Sequence, residues 1–408
     1  MAAKLPRYAA TVVGAGPAGI TAVGNLLARD LKPILWVDRH FAGGRVNQKY
    51  RQVPSNTKVS LFRDFAEAVQ PFRDVVRAAS EGGQSNAFTR LGALRQDQGC
   101  ELGYAADMTL MLTEGLVKSP GVETRRGSCE AAEQDHTDDW TVEIASPSDG
   151  EEAKAISPLL VLCTGSSPIS SPLPYKEESL KPLDLDLALD PTQLAATIDS
   201  TKKTTVGVIG ASHSAILALL NLANLAKSSH PSLDIKWFTR HPLRFAEYRD
   251  GWILRDNTGL KGQAADWARE NLADAKFLDG DTPADSKLRR YIEKITIARK
   301  EDEEAVYGEH LPRCDHVIQA VGFKRDPLPR LTRNGEVLRP RYDHATAGFT
   351  DESGGGGGGG GGSQRIKGLY GAGIAFPERV TDPEGNVEYA VGFWKFMKYV
   401  KRVSPMWA

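Results

Sequence analysis

The chain has 408 residues, 41% of them hydrophobic, and a formal net charge of -1 at pH 7. That length suits two or three domains with sizeable cores, and the charge excludes a global field that would gather nucleic acid or acidic membranes. No apolar run reaches the length needed to span a bilayer. A strand is expected within a few residues of the start, which leaves no room for a signal peptide and points to a cytoplasmic protein. Cys100, Cys129, Cys163 and Cys314 are widely separated. Without a Cys-x-x-Cys pair, neither a redox dithiol nor a zinc ribbon is expected, and no metal site. The thiols read as reduced and mostly buried.

In chain order, residues 8–13 read as an apolar strand. Gly14, Gly16 and Gly19 follow at G-x-G-x-x-G spacing, and residues 17–29 read as a helix. Gly14 permits a tight turn, Gly16 lets backbone approach a pyrophosphate, and Gly19 lets the helix pack on the sheet. Pro17 suits the first helical turn, where its missing N–H costs little, and Ala18 completes the turn. The helix start offers free N–H groups and partial positive charge to phosphates. A second strand, 33–38, ends in Asp38, placed to accept from ribose hydroxyls. Residues 40–104 read as irregular and polar with short helical stretches, and 105–117 as an amphipathic helix. Strands are expected near 122–125, 140–144 and 159–163, the last ending in Thr164 and Gly165. Residues 168–190 read as a crossover.

Residues 204–240 repeat the pattern. A strand at 206–209 leads into Gly210, Ser212, His213, Ser214 and Ala215, then a helix over 215–226. Ser212 replaces the middle glycine and adds a hydroxyl that can meet a phosphate, while Ala215 still permits close packing. The partner strand from 235 ends in Arg240 and His241. A cation there suits a 2′-phosphate, so NADPH is expected over NADH, the alternative being a solvated loop cation. His241 either assists or merely lines the loop. His213 is either a positional turn residue or a base. The 245–262 stretch, dense in turn formers and aromatics, either closes over a cofactor or serves as a connection. Residues 250–275 carry helix-favouring runs. A strand at 316–321 ends in Gly322, and the uninterrupted glycines 354–362 read as a mobile surface loop. A last short strand is expected at 366–373, then a helix at 387–401 whose aromatic face holds Tyr389, Phe393, Trp394 and Phe396.

Two such turns imply two dinucleotides, with FAD and NADPH as the first assignment. The ordered set also resembles the flavin-containing monooxygenases and their relatives among two-dinucleotide flavoproteins. The resemblance rests on the first turn, the Gly43-Gly44-Arg45 run, Tyr50, the Ser55-Asn56-Thr57 segment with Lys58 and Phe62, the Thr164-Gly165 strand end, the second turn, and a closing Gly371-x-Gly373. It implies an α/β fold of two Rossmann-like dinucleotide-binding domains, with an NADPH domain (169–309) inserted in an FAD domain (1–168 and 310–408).

The resemblance places Asn56 by the reactive edge of the flavin, with Gly44, Arg45 and Thr57 beside the cofactor. Residue chemistry alone leaves Asn56 open between that role and turn capping. Many relatives carry Asp after the closing glycine; here the position is Ile374, so backbone N–H groups after Gly373 would serve instead. The implied reaction has NADPH reduce FAD, O2 add at the flavin C4a position, and one oxygen pass to a small amine or sulfur nucleophile. Alternatives are an NADPH-dependent reductase or oxidase with a quinone or other small acceptor, and a non-catalytic NADPH sensor or helper of a partner enzyme. Expected partners are a small-molecule substrate and O2, with a homodimer as the oligomeric option and no nucleic acid.

Overall fold

The computed structural model describes residues 4–146, 152–174, 180–272, 290–352 and 364–407; the glycine run 354–362 lies outside them. Two sheets organise the chain. The larger has seven strands, in the order Pro340–Tyr342, Gly348–Asp351, Gln364–Gly371, Leu160–Leu162, Ala10–Val13, Ile34–Asp38, Val122–Arg126. From Gln364–Gly371 onward its neighbours run parallel. The second has five parallel strands, in the order Ile292–Thr296, Leu233–Thr239, Thr204–Ile209, His316–Gln319, Lys181–Pro182. Its central strands, Leu233–Thr239 and Thr204–Ile209, are buried over most of their length, as parallel strands covered on both faces are. His316–Gln319 pairs inside this sheet, beside Thr204–Ile209. The fold is a mixed α/β architecture built on these two sheets. Among the described residues no helix is long and apolar enough to cross a membrane.

Each sheet uses the same device beneath its glycine turn. Trp36 and Trp237 are fully buried in the second strand of each pattern. The Trp36 indole N–H donates to the Gly14 carbonyl at 2.9 Å, and that of Trp237 to the Gly210 carbonyl at 2.7 Å. A buried carbonyl at a tight turn thus finds a donor that the sheet ladder cannot supply.

Several elements differ from the sequence reading. Residues 40–104 contain four helices, Arg45–Lys49, Val59–Glu67, Gln70–Ser80 and Ala87–Gly92. Their apolar stripes are narrow (Val59, Phe62, Phe65 and Ala66 in one, Phe72, Val75 and Val76 in another), so the polar majority hides the helical period. Strands Ser128–Gln134 and Glu152–Ser157 flank Trp140–Ala145 in a third sheet; their charged outer faces conceal the alternation. The strand expected at 316–321 stops at Gln319, and that expected at 366–373 runs Gln364–Gly371. The latter is not the last, because Glu378–Thr381 and Val387–Ala390 form a hairpin beyond it. The first four residues of the helix expected at 387–401 are therefore strand. Gly392, at φ +140°, separates the hairpin from helix Phe393–Val403. Tyr389 is 52% exposed on the strand, whereas Phe393 and Phe396 are buried. All four cysteines are free, with Cys163 and Cys314 buried and Cys100 and Cys129 half-buried.

Replacing Trp36 or Trp237 by Phe orphans a buried carbonyl and leaves a small void. Each change is expected to cost about 2 kcal/mol of stability, read from urea denaturation. Equal midpoints for variant and parent would contradict this role.

Candidate functional site

The first glycine turn is a place where three backbone segments touch. Gly14, at φ +106°, has no room for a side chain: a Cβ would lie 2.3 Å from the Cys163 carbonyl oxygen. A Cβ on Gly19 would meet the Gly14 oxygen at 1.8 Å, and one on Gly44 the Gly16 Cα at 2.7 Å. Helix Pro17–Ala28 begins at Gly16 with no side-chain cap, so its start remains available to an anion. Asp38 braces the turn itself. One carboxylate oxygen accepts from the Ala15 N–H at 2.7 Å, and the other from the His40 and Phe41 N–H groups at 2.8 and 2.7 Å.

This turn opens onto a cavity of about 1430 Å³. Gly14, Gly16, Pro17, Ala18, Asp38 and Gly44 line it on one side. Arg45, Asn56, Thr57, Thr164, Gly165 and Ile374 also line it, with His213 reaching in from the second turn. Gly19 and Gly373 sit behind the wall, where they permit packing: a Cβ on Gly373, at φ +90°, would meet Ala18 Cβ at 2.4 Å. Gly210, Ser212, Ser214, Ala215, Arg240, His241 and Gly322 do not line the cavity.

The turn chemistry of the Ser55-Asn56-Thr57 segment belongs to Ser55. Its hydroxyl accepts from the Thr57 N–H at 2.8 Å and donates to the Thr57 carbonyl at 3.1 Å. The exposed Asn56 amide makes only a 3.5 Å contact with the Thr57 hydroxyl. The Arg45 guanidinium, at the cavity, pairs with Asp186. The Tyr50 hydroxyl donates to the same carboxylate at 2.7 Å. Burial, then the bond to Asp186, pushes the Tyr50 hydroxyl well above its ordinary range, so it stays a donor.

At the second turn, a Cβ on Gly210 (φ +133°) would meet the Ala320 oxygen at 2.4 Å, the same crowding in a milder form. Helix His213–Lys227 starts at Ser212 without a side-chain cap. The Ser212 hydroxyl turns back toward the Ala320 carbonyl at 3.4 Å. Arg240 follows the strand end, 47% exposed, and pairs with Glu303 at 2.9 Å. His241 is exposed, and its carbonyl accepts from the Thr239 hydroxyl at 2.8 Å.

Three buried polar atoms along the cavity have no hydrogen-bond partner: Thr164 Oγ1, Ser166 Oγ and His213 Nδ1. Buried polar groups rarely stay unpaired without a ligand or water. Sequence reasoning missed Ser166 although it adjoins Thr164 and Gly165. It also missed an ion cluster on the opposite wall. Asp256 bonds Lys261 and Lys395, each at 2.7 Å, and Lys395 also donates to Asn257 Oδ1 at 2.6 Å. Burial opposes the Asp256 charge, but the bonds from both lysines outweigh it and hold that carboxyl below its usual range. Burial lowers the Lys395 ammonium. The 245–262 stretch does reach the cavity, through Tyr248, Ile253, Asp256, Asn257 and Lys261. Lys395, more than 130 positions away from it, had no local signal.

Burial, with the nearby Lys261 charge, lowers the His213 imidazole from 6.5 to about 4. Below the unfolded value the unfolded chain binds a proton that the folded one refuses, so stability falls as pH drops through this interval and levels off beneath it. His213→Asn is expected to flatten that part of the stability profile, measured by urea denaturation between those two pH values. A profile as steep as the parent's would assign the acid loss to other groups.

No family model matches the chain. It is 54% identical over 403 residues to monooxygenase AgnR1 of Paecilomyces divaricatus, covering 98% of both chains. Among solved structures, bacillithiol disulfide reductase Bdr of Bacillus cereus superposes with a TM-score of 0.52 at 12% identity, over 98% of each chain. The FAD-bound cadaverine monooxygenase DfoA of Erwinia amylovora gives a TM-score of 0.44 at 14% identity, over 84% of this chain and 72% of that one. With a glycine turn on each of two sheets in the two-dinucleotide-binding fold, and a relative at this identity over 98% of both chains, the chain belongs to the monooxygenases.

Proposed function

We propose that this monooxygenase holds FAD at the first turn and NADPH at the second, and passes one oxygen atom of O2 to a small substrate bearing a nitrogen or sulfur nucleophile. The observation that carries the cofactor assignment is the uncapped helix start at Gly16, opening onto a cavity where Thr164, Ser166 and His213 keep buried polar atoms without partners. A dinucleotide offers phosphates to the first and hydroxyl or amide groups to the second. FAD, when bound, supplies the redox chemistry: it accepts a hydride from NADPH and activates O2 at C4a.

The chain's own residues bind and orient. Backbone N–H groups after Gly16 take the pyrophosphate, and Asp38, already fixed by three N–H donors, presents its remaining lone pairs to the ribose. Gly44, Thr57, Thr164, Gly165 and the backbone after Gly373, where Ile374 stands, complete the cradle. Asn56, its turn duties taken over by Ser55, is the amide free to orient the nicotinamide and the oxygen being transferred. The second helix start, with His213 and Ser214, takes the NADPH pyrophosphate, and Arg240 exchanges Glu303 for the 2′-phosphate. In this proposal the FAD domain comprises 1–168 and the return segment, with the nicotinamide domain inserted. His213 stays neutral at pH 7, which suits a positional donor or acceptor better than a base. Family membership favours oxygen transfer over a quinone-linked reductase or a non-catalytic sensor.

The purified protein is expected to take up FAD and to lose flavin absorption on anaerobic addition of NADPH. Protein that stays colourless after reconstitution would overturn the assignment. Arg240→Ala is expected to shrink the preference for NADPH over NADH in the flavin reduction rate about tenfold, the value of one charge-assisted bond. An unchanged ratio would remove Arg240 from the site.

A further inference from the structure

Glu388 is only 6% exposed. It sits on strand Val387–Ala390, behind the cavity wall, and faces the turn at Asn257 and Thr258. One carboxylate oxygen accepts from the Asn257 N–H at 3.0 Å and the Asn257 Nδ2 at 3.1 Å. The other accepts from the Thr258 N–H at 3.1 Å and from the Thr258 hydroxyl. A buried carboxylate with four donors has its charge compensated and its position fixed. Asn257 in turn accepts from Lys395 on the next helix, and Lys395 and Lys261 share Asp256. Asp256, Asn257, Lys261 and Lys395 all line the cavity, as do Val391 and Gly392 immediately after the Glu388 strand. Two wall segments about 130 positions apart in the chain are thus joined at one buried anion.

We propose that Glu388 is a positioning residue that clasps the 256–258 turn over the cavity and so governs how well oxygen chemistry there is shielded from water. The inference rests on the FAD and NADPH assignment above. Shielding matters because reduced flavin and O2 have a wasteful outlet: NADPH, O2 and one proton give NADP+ and hydrogen peroxide. The hydride carries two electrons and one hydrogen to O2 by way of the flavin, and solvent provides the second proton. Excluding water from the cavity suppresses that outlet. Glu388 reaches neither substrate nor cofactor; it acts by holding Asn257 and, through it, Lys395.

The test uses the FAD-loaded full chain with NADPH and O2 as the only reactants. The readouts are the rate of hydrogen peroxide release per bound flavin and, before any reactant is added, quenching of the bound flavin's fluorescence by iodide, which reports solvent access to the cavity without turnover. Glu388→Gln keeps the size but turns an amide N–H2 toward groups that are themselves donors. Release is expected to rise roughly tenfold, the scale of effect when a remote residue misplaces a site wall. Thr258→Val, which removes one donor from the far side of the same clasp, is expected to shift release in the same direction by less. It decides the matter if Glu388→Gln does not fold. Parent-like release per flavin, in whichever of the two variants folds, would overturn the role whatever happened to thermal stability. A parent protein that holds no flavin or does not oxidise NADPH would instead overturn the assignment beneath, and this inference with it.

Discussion

At Gly14, Gly19, Gly44 and Gly373 backbone passes so close to its neighbours that a Cβ has nowhere to go. The site depends on that crowding. It arises because strand Ala10–Val13 lies parallel to Leu160–Leu162 in register, Val13 opposite Leu162, which brings the Cys163 carbonyl against the turn. Any side chain at Gly14 would push the turn off the strand end, and one at Gly19 would push the helix off the turn. The helix would then no longer aim its free N–H groups into the cavity. Asp38 and Trp36 hold the turn from either side, the first through the Ala15 N–H and the second through the Gly14 carbonyl. The geometry that leaves room for a pyrophosphate is thus enforced by sterics and secured by two hydrogen bonds, before any ligand arrives.

Among the described residues Asp186 and Glu388 are the buried carboxylates, and each ties together segments more than 100 positions apart in the chain. Asp186, in the crossover, receives Arg45 and Tyr50 from the first-turn side. Glu388, in the return segment, receives Asn257 and Thr258 from the second-turn side. Buried charges of this kind add little net stability, because desolvation offsets the attraction. They do discriminate strongly among arrangements, since any other docking of the two sheets strands a charge in apolar surroundings. The relative placement of the two turns, on which transfer between two cofactors would depend, is therefore set by polar contacts rather than by apolar area alone.

The glycine turns were legible in the sequence because a steric demand fixes residue type at fixed spacing. So were the strands on each side, which are apolar enough to be read without partners. The helices between 45 and 92 were legible only as short helical stretches without bounds, because their buried stripes are narrow among many charges. The stretch at 387–401 misled because Tyr389, Phe393, Trp394 and Phe396 mimic a helical face; only Gly392 marks where strand gives way to helix. At the site, Asn56 was singled out through family resemblance, while the neighbouring Ser55 proved to be the turn former. Lys395 and Glu388 act on residues about 130 positions away, and no local pattern encodes such a contact. The Arg45 pairing with Asp186 was hidden for the same reason.

The two turns also differ in how tightly they are enclosed. The first is pressed from one side by Gly44 and abutted at Ala18 by Gly373, segments nearly 30 and 360 residues away from it. The second is crowded only by Ala320 at the end of its neighbouring strand. Its cation, Arg240, is half exposed and already paired with Glu303. Under the proposed assignment, a ligand arriving at the second turn displaces a solvent-accessible ion pair, which is worth little, and can leave as cheaply. Under the proposed assignment this asymmetry is functional: the flavin stays through many turnovers, while the nicotinamide must enter reduced and depart oxidised in each one.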